Sequence, residues 1–583
     1  MTEKKQKKKI PSPVKASGIR SKVRFDYSVT TKKYVGPLGF GVIVTGLLLV
    51  FSIFKNISHP LFWADESMTA MGSERVIHYG YPKVHDGKNV FYDLRHSNPT
   101  LGINEKNDAY VGGAGWLQYY FGIIGYKLAA TSDDLFTKTG IYRSTFATAG
   151  LLGLFLFGFL ISRLFADQFS RYAFLFLYFL LELFSVSLAL LLREVRYYSL
   201  VMLLTSIILG MYSLYRFRGS FNKIGFTVSV SIALWLLFNT FAPVYFILAA
   251  SIGASELIMV IGQGIKSNLK KSILEALPVI IALLISFMAI IPLMSYFRTF
   301  EISKAMSDFN NYNNEIYKTN LATVFNYFKN FELLWLMLLL KILMATQFRS
   351  ILKEKSPAFK TSCFLTLVFI LFVFAISKIP NFIYTRYIIY MQPVLVAIIL
   401  IDFFTVIRQF TKGSEKMWPI KLWIPVAAFI CGFFLMVLEN FNYISGHVYE
   451  LTHIYKGPLD YTIPYLKEKY PQSDSLVIAA NYEETSYMYY LNSKVIMGFA
   501  GNNLQQDSIK QPDVIAYRKT WGNNASIYNK FLSMAPFEPE KFPIKDNPVN
   551  NIPELNFRPA FNHQFRTLLP ADEKDATYLY IKK

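Results

Sequence analysis

Eleven apolar runs, most of them close to the ~20 residues a helix needs to cross a bilayer, recur near residues 38–54, 143–161, 172–192, 199–214, 225–238, 241–261, 274–296, 332–347, 361–379, 387–406 and 422–439. Hydrocarbon offers no partner to an open backbone N–H or C=O, so such runs must become helices. The composition agrees, with 53% hydrophobic and 17% aromatic residues over 583 positions and a mean hydropathy of +0.30. A soluble chain of this length is rarely so apolar. The runs predict a multipass all-α membrane domain over 38–440 with about 11–13 spans. Two short runs meet at "NTFAP", and "WLQYYFGIIGYKLAA" suits either an interfacial helix or a further span. Cys363 and Cys431 both lie in apolar runs and offer neither a disulfide framework nor metal-ligand spacing.

The net charge of +21 has an orientation. The tail 1–37 holds eleven Lys and Arg against Glu3 and Asp26. Five short loops on the same side hold sixteen basic residues against Asp167, Glu354 and Glu415. From residue 441 onward, fifteen basic residues balance fifteen acidic ones. Basic residues collect in cytoplasmic loops, so a cytoplasmic tail is expected, and the first apolar run, with no small-residue cleavage site after it, reads as a retained anchor. The pI near 9.5 then needs no nucleic-acid partner.

This orientation sends the loop 55–142, the turn "REVRYY", the loop 298–331, the turn "NFIYTRY" and the region 441–583 to the opposite face. All seven histidines go with them. In the first loop, "DESMTAMGSERVIHYGYP" has mixed helical spacings ended by Gly80 and Pro82, and it reads as an interfacial helix. Region 441–583 reads as an exported α/β domain, with helices at "YTIPYLKEKY" and "EETSYMYYLN" and strands at "SLVIAA", "KVIMG", "DVIAYR" and "ATYLYIKK".

Three short motifs on that outward face could carry chemistry. Asp65 and Glu66 follow the first span; acids are also ordinary in the first turn of a helix, where the dipole favours them. "REVRYY" places Arg193, Glu194 and Arg196 beside Tyr197 and Tyr198. Guanidinium groups there suit an anionic headgroup, since they pair with phosphate bidentately, or they pair structurally with Glu194. "NFIYTRY" repeats the pattern with Tyr384, Arg386 and Tyr387, which could equally be an aromatic belt with one snorkelled arginine.

These motifs resemble those of the GT-C membrane glycosyltransferases, in particular the protein O-mannosyltransferases and the aminoarabinose transferases that modify lipid A. "ADESMTAMGSERVIHYGYP" is similar to their D-E-x-x-x-A…G-x-P signature, and "KTGIYRSTFATAGLLG" to their R-x-x-S-x-x-x-G second span, with Arg143 in the arginine position. "REVRYYSL" and "YTRYIIYMQP" resemble their R-x-x-R-x-Y turn and R-Y…P span. The segment from "YKGPLDY" to "DVIAYR" is similar to the exported C-terminal domain of bacterial members. The family's H-P-P-like segment is here "HSNPTLG", beside an apparent insertion, and there is no W-W-D motif of the oligosaccharyltransferase kind.

The resemblance implies an inverting transfer of a sugar from a polyprenyl-phosphate carrier to a lipid, glycan or protein hydroxyl outside the cytoplasm. Asp65, with Glu66 beside it, would be the catalytic acid pair and Asp65 the base. Arg193, Arg196, Tyr197, Tyr384, Arg386 and Tyr387 would hold the donor phosphate. Arg143, His85 and Arg95 would contact donor or acceptor. It also implies a multipass inner-membrane protein of a bacterial cell envelope, with no nucleic-acid partner. No cofactor is firmly implied: a divalent ion at Asp65, Glu66 and nearby histidines is conceivable, but no HExxH-like spacing supports one. Two other readings use the same residues. A transporter would draw on Asp402, Glu256 and Glu182 in or near spans, although no internal repeat is visible. An inactive relative acting as an assembly subunit would fit the altered first loop.

Overall fold

The computed structural model describes residues 27–92, 102–104, 106–112, 115–264, 269–346, 356–380, 382–411, 418–497, 510–519, 525–547, 552–555 and 562–583. The first described element is α1 (Tyr27–Phe54), followed by α2 (Ala64–Tyr79), a two-stranded ladder of β1 (Ile103–Asn104) and β2 (Ala109–Tyr110), and α3 (Leu117–Ala129). The apolar bundle continues with α4 (Leu135–Ser162), α5 (Gln168–Leu183), α6 (Val186–Leu192), α7 (Tyr198–Ser213), α8 (Lys223–Gly264) and α9 (Leu269–Tyr296). Two polar helices, α10 (Thr299–Phe309) and α11 (Asn314–Phe331), precede α12 (Leu334–Thr346), α13 (Pro357–Ile376), α14 (Gln392–Thr411) and α15 (Trp418–Glu439). Helix starts follow local chemistry: Asp134 and Asp167 accept from the N–H groups of Thr137 and Ser170, supplying donors that a helix start leaves open.

Among the described residues, seven helices are long and apolar enough to cross a membrane, or nine if two bent pairs each count as one span. The bends are 79° between α5 and α6, and 70° between α15 and α16 (Phe441–Thr452). This is fewer than the eleven expected, for two reasons. The short fifth and sixth runs form two helical segments of α8 that meet at Phe241, whose φ of −153° and ψ of 94° are not helical, with Pro243 just beyond, and together they count as one candidate span. The run at 332–347 yields only the 13-residue α12. The chain is a multipass membrane protein.

Beyond α16, α17 (Leu459–Lys469), α18 (Glu484–Leu491) and α19 (Ala525–Ser533) accompany a five-stranded sheet. Its strands are β3 (Val477–Ala480), β4 (Lys494–Met497), β5 (Val514–Ala516), β6 (Phe537–Lys545) and β7 (Ala576–Lys582), in the order β4-β3-β5-β7-β6. β3 pairs in parallel with β4 and β5, whereas β7 runs antiparallel to β5 and β6. Edge strand β6 has two prolines, Pro539 and Pro543, which an edge tolerates.

α2 differs from the expected surface helix. It ends at Gly80, whose φ of 80° suits glycine, but Glu66 to Val76 are mostly buried by protein. α3 lies on one side at close range: a Cβ on Gly72 would stand 2.4 Å from the Tyr119 ring, and one on Gly122 would stand 2.3 Å from Ser73 Oγ. α18 covers another side. Phe62, Met71, Tyr119 and Tyr142 share one apolar core with Leu459, Ile463, Tyr487 and Tyr490. Hydrogen bonds reinforce this seam. Leu61 N–H donates to Asp460 Oδ1 at 2.7 Å, Phe62 N–H to Tyr490 Oη at 3.0 Å, and Ser486 Oγ to the Phe62 carbonyl at 2.8 Å. The C-terminal region is therefore built onto the helix that carries the acidic pair.

Candidate active site

The two members of that pair face different surroundings, because adjacent helical residues point ~100° apart. Glu66 is wholly buried. Arg143 of α4 grips it with Nε to Oε1 at 2.8 Å and Nη2 to Oε2 at 2.5 Å. Val195 N–H adds a third bond at 3.1 Å, and Arg143 Nη1 donates to the carbonyls of Ile57 and Pro60. All this is internal wiring: a bidentate, desolvated pair that fixes α2 against α4 and the 193–197 turn.

Asp65 instead opens toward solvent, its side chain 29% exposed. Arg386 Nη1 donates to Asp65 Oδ2 at 3.0 Å, and Arg196 Nη2 approaches the same oxygen at 3.6 Å. Arg196 Nη1 also donates to the Asp65 carbonyl at 3.1 Å and to Thr69 Oγ1 at 3.2 Å. Two guanidinium groups from distant turns thus converge on one carboxylate. Burial disfavours both cations, but the Asp65 carboxylate, with Glu554 also acting on Arg386, offsets it and holds them protonated.

Aromatic rings form the wall behind these cations. Arg386 lies over the ring of Tyr384 at 4.3 Å, and over those of Trp63 and Tyr387 at 5.6 and 5.8 Å. Arg196 lies over Tyr197 at 5.6 Å. The break in α8 inserts Phe241 between the two turns, stacked on Tyr197 (4.9 Å) and Tyr387 (6.0 Å). Tyr197 and Tyr387 are thereby members of a ring stack, and cation–π attraction adds to the hold on both arginines. Among the described residues, the buried donors Arg196 Nε and the Tyr198 hydroxyl in this wall have no partner. The charges acting on that hydroxyl are those of Arg386, Arg196, Asp65 and Glu554. Buried donors of this kind are usually satisfied by water or by a ligand.

Arg193 does not join Arg196. It turns the other way and donates to Glu450 Oε1 at 3.0 Å, both side chains being buried. His563 Nε2 holds the other oxygen of Glu450 at 3.2 Å, and His447 stands 3.6 Å from it. Burial works against the Glu450 charge, yet Arg193 and His563 hold its carboxyl well below the usual range. Position 193 is therefore a structural tie, because two arginines three apart in an irregular turn need not share a face. Glu194 accepts from Trp63 Nε1 at 2.5 Å. Burial, with Glu66 nearby, pushes its carboxyl well up, against the pull of Arg143.

His85 pairs through Nδ1 with Asp108 Oδ1 at 2.6 Å. Arg95 lies outside the described residues. Among the described residues no group of three or more His, Cys, Asp or Glu is arranged to hold a metal ion. The charges a transporter would draw on are mostly internally paired. Arg216 Nε meets Glu256 at 3.1 Å, and Lys341 Nζ meets Asp402 at 2.9 Å. Glu182 lies buried near Glu332 and Gln392.

The sequence motifs did not reveal Glu554. Its Oε2 accepts from Thr385 N–H at 2.7 Å, and its Oε1 stands 3.5 Å from Arg386 Nε. "NNIPELNF" is an ordinary polar segment, and nothing in its spacing marks the glutamate. Tyr198 could have been singled out, since it neighbours Tyr197 in the same turn.

No family model matches the chain, and no curated protein matches it. Solved structures that resemble it include two of one protein. An ArnT from Cupriavidus metallidurans in the apo state has 12% identity and a TM-score of 0.46, over 87% of this chain and 96% of that chain. ArnT from the same organism bound to undecaprenyl phosphate has 13% identity and a TM-score of 0.46, over 94% of this chain and 98% of that chain.

Proposed function

We propose that this membrane protein is an inverting glycosyltransferase that moves a sugar from a polyprenyl-phosphate carrier to an acceptor hydroxyl on the non-cytoplasmic face. The observation that carries this reading is the meeting of a part-exposed carboxylate, Asp65, with two arginines whose side chains are only 12% and 14% exposed, Arg196 and Arg386. The donor is a phosphodiester, and its leaving group gains negative charge as the bond to the sugar breaks. Preorganised cations in a low-dielectric wall stabilise that charge where it develops. Arg196 and Arg386 fill this role, with Tyr198 Oη and Arg196 Nε as further donors. The acceptor hydroxyl must lose a proton as it attacks, and Asp65 is the base that takes it. Attack opposite the phosphate inverts the anomeric carbon.

In this reading residues 1–37 are a cytoplasmic tail, 38–440 the membrane transferase domain and 441–583 the exported α/β domain of an inner-membrane, cell-envelope enzyme. Glu66 and Arg143 form its scaffold and touch neither substrate. Incubating the purified protein with a panel of polyprenyl-phosphate sugars tests the reading. Release of the lipid phosphate from at least one donor, lost in Asp65→Asn, supports it. No release from any donor, or release unaffected by Asp65→Asn, overturns it.

A further inference from the structure

Arg386 is shared by two carboxylates of unlike character. Nη1 meets Asp65, 29% exposed, while Nε faces Glu554, only 1% exposed. Glu554 is tied to the turn that carries Arg386 through Thr385 N–H, and its own carbonyl accepts from His563 N–H at 2.8 Å. Burial pushes the Glu554 carboxyl up, whereas Arg386 and the Thr385 N–H pull it back toward the charged form. The C-terminal region thus supplies a fixed anchor for the arginine, and α2 supplies a movable partner.

We infer that Glu554 is a positioning residue that keeps Arg386 in place while the phosphate of the lipid donor displaces Asp65 from the two arginines, so that donor binding frees the base. The inference rests on reading this site as the donor-phosphate site. Two guanidinium groups and two carboxylates sum to zero formal charge. A phosphodiester brings one more negative charge, and crowding three anions around two cations in a dry site is costly. The anion that can leave is the one with a path to solvent, Asp65. Once released, its oxygen accepts the acceptor proton as the bond from acceptor oxygen to anomeric carbon forms. The bond from that carbon to the phosphate oxygen breaks, and the electron pair departs with the polyprenyl phosphate, held by Arg196 and Arg386.

Two measurements on the full-length protein test this. The first compares the pH dependence of transfer in the wild type, Glu554→Gln and Glu554→Asp. With the Glu554 charge removed, Arg386 turns fully to Asp65 and the field around the base becomes more positive. In Glu554→Gln the acid limb should move to lower pH and kcat should fall by up to about 10²-fold, the scale of a misplaced catalytic group. Glu554→Asp should recover part of the loss. A loss of amplitude with the limb unmoved and no recovery would make Glu554 merely structural and overturn the inference, as would an unchanged profile.

The second measurement titrates a sugar-free polyprenyl phosphate and reads binding by thermal shift. Removing the displaced carboxylate in Asp65→Asn should tighten binding several-fold, and unchanged or weaker binding would overturn the exchange. If the wild type transfers no sugar while Asp65→Asn still tightens binding, the transferase reading falls and the exchange stands.

Discussion

Two neighbouring carboxylates on α2 meet opposite fates, and a single pair of substitutions should separate them. Asp65→Asn keeps the shape of the side chain but removes the basic oxygen. Transfer should fall by ~10²–10⁴-fold, with the melting temperature little changed. Glu66→Gln strands Arg143 in a buried site, where breaking one side of such a pair costs about 3–5 kcal/mol. It should therefore lower the melting temperature markedly, and any activity loss should follow the loss of folded protein. Thermal unfolding and transfer assays on the same preparations check both outcomes. Asp65, Arg196 and Arg386 could be picked out from the sequence because short motifs sent all three to one side of the membrane. Their division of labour could not. Arg193 and Arg196 look equivalent in "REVR", but only the packed turn shows that Arg193 faces Glu450. Glu554 carries no pattern at all, since a single acid in a polar segment gains its role only from the distant turn it meets.

The elements around the site are held by close approach and by buried charge, and each makes a prediction. A Cβ on Gly153 of α4 would stand 2.6 Å from the Leu203 Cα of α7, and backbone cannot step aside as a side chain can. Gly153→Ala should cost about 1–3 kcal/mol, as overpacking does, seen as a lower melting temperature. Arg193, Glu450 and His563 tie α16 to the turn before α7 and to the chain near residue 563. Because the Glu450 carboxyl is held below its ordinary value, its contribution to stability is present above the usual carboxylate range. It is lost as pH falls through the folded-state value. The stability gap between wild type and Glu450→Gln should be widest near neutrality and should shrink in acid, as measured by unfolding at a series of pH values. Sequence periodicity anticipated most of the helices and four of the five strands of the C-terminal sheet. It missed β6, because two prolines and alternating charge hide an edge strand. The break it placed at "NTFAP" coincides with the non-helical Phe241, where two helical segments of α8 meet.

For the molecule as a whole, the charge asymmetry predicts that Arg163 and Lys574 lie on opposite sides of the membrane. With Cys363 and Cys431 replaced, single cysteines at those exposed positions should be labelled by an impermeant reagent from opposite faces of intact vesicles. Labelling of both from one face would reverse the assigned orientation. The seam between α2 and α18 bears on how such a protein comes into being. Phe62 bonds to Tyr490, Leu61 to Asp460, and Arg386 faces Glu554. A ribosome delivers Asp65 long before Glu554, so the nascent chain threads its helices into the bilayer with the acidic helix still lacking its cover. Chains arrested before residue 554 should insert yet transfer nothing. Activity should appear only once the segment around Glu554 has been made and has met Arg386.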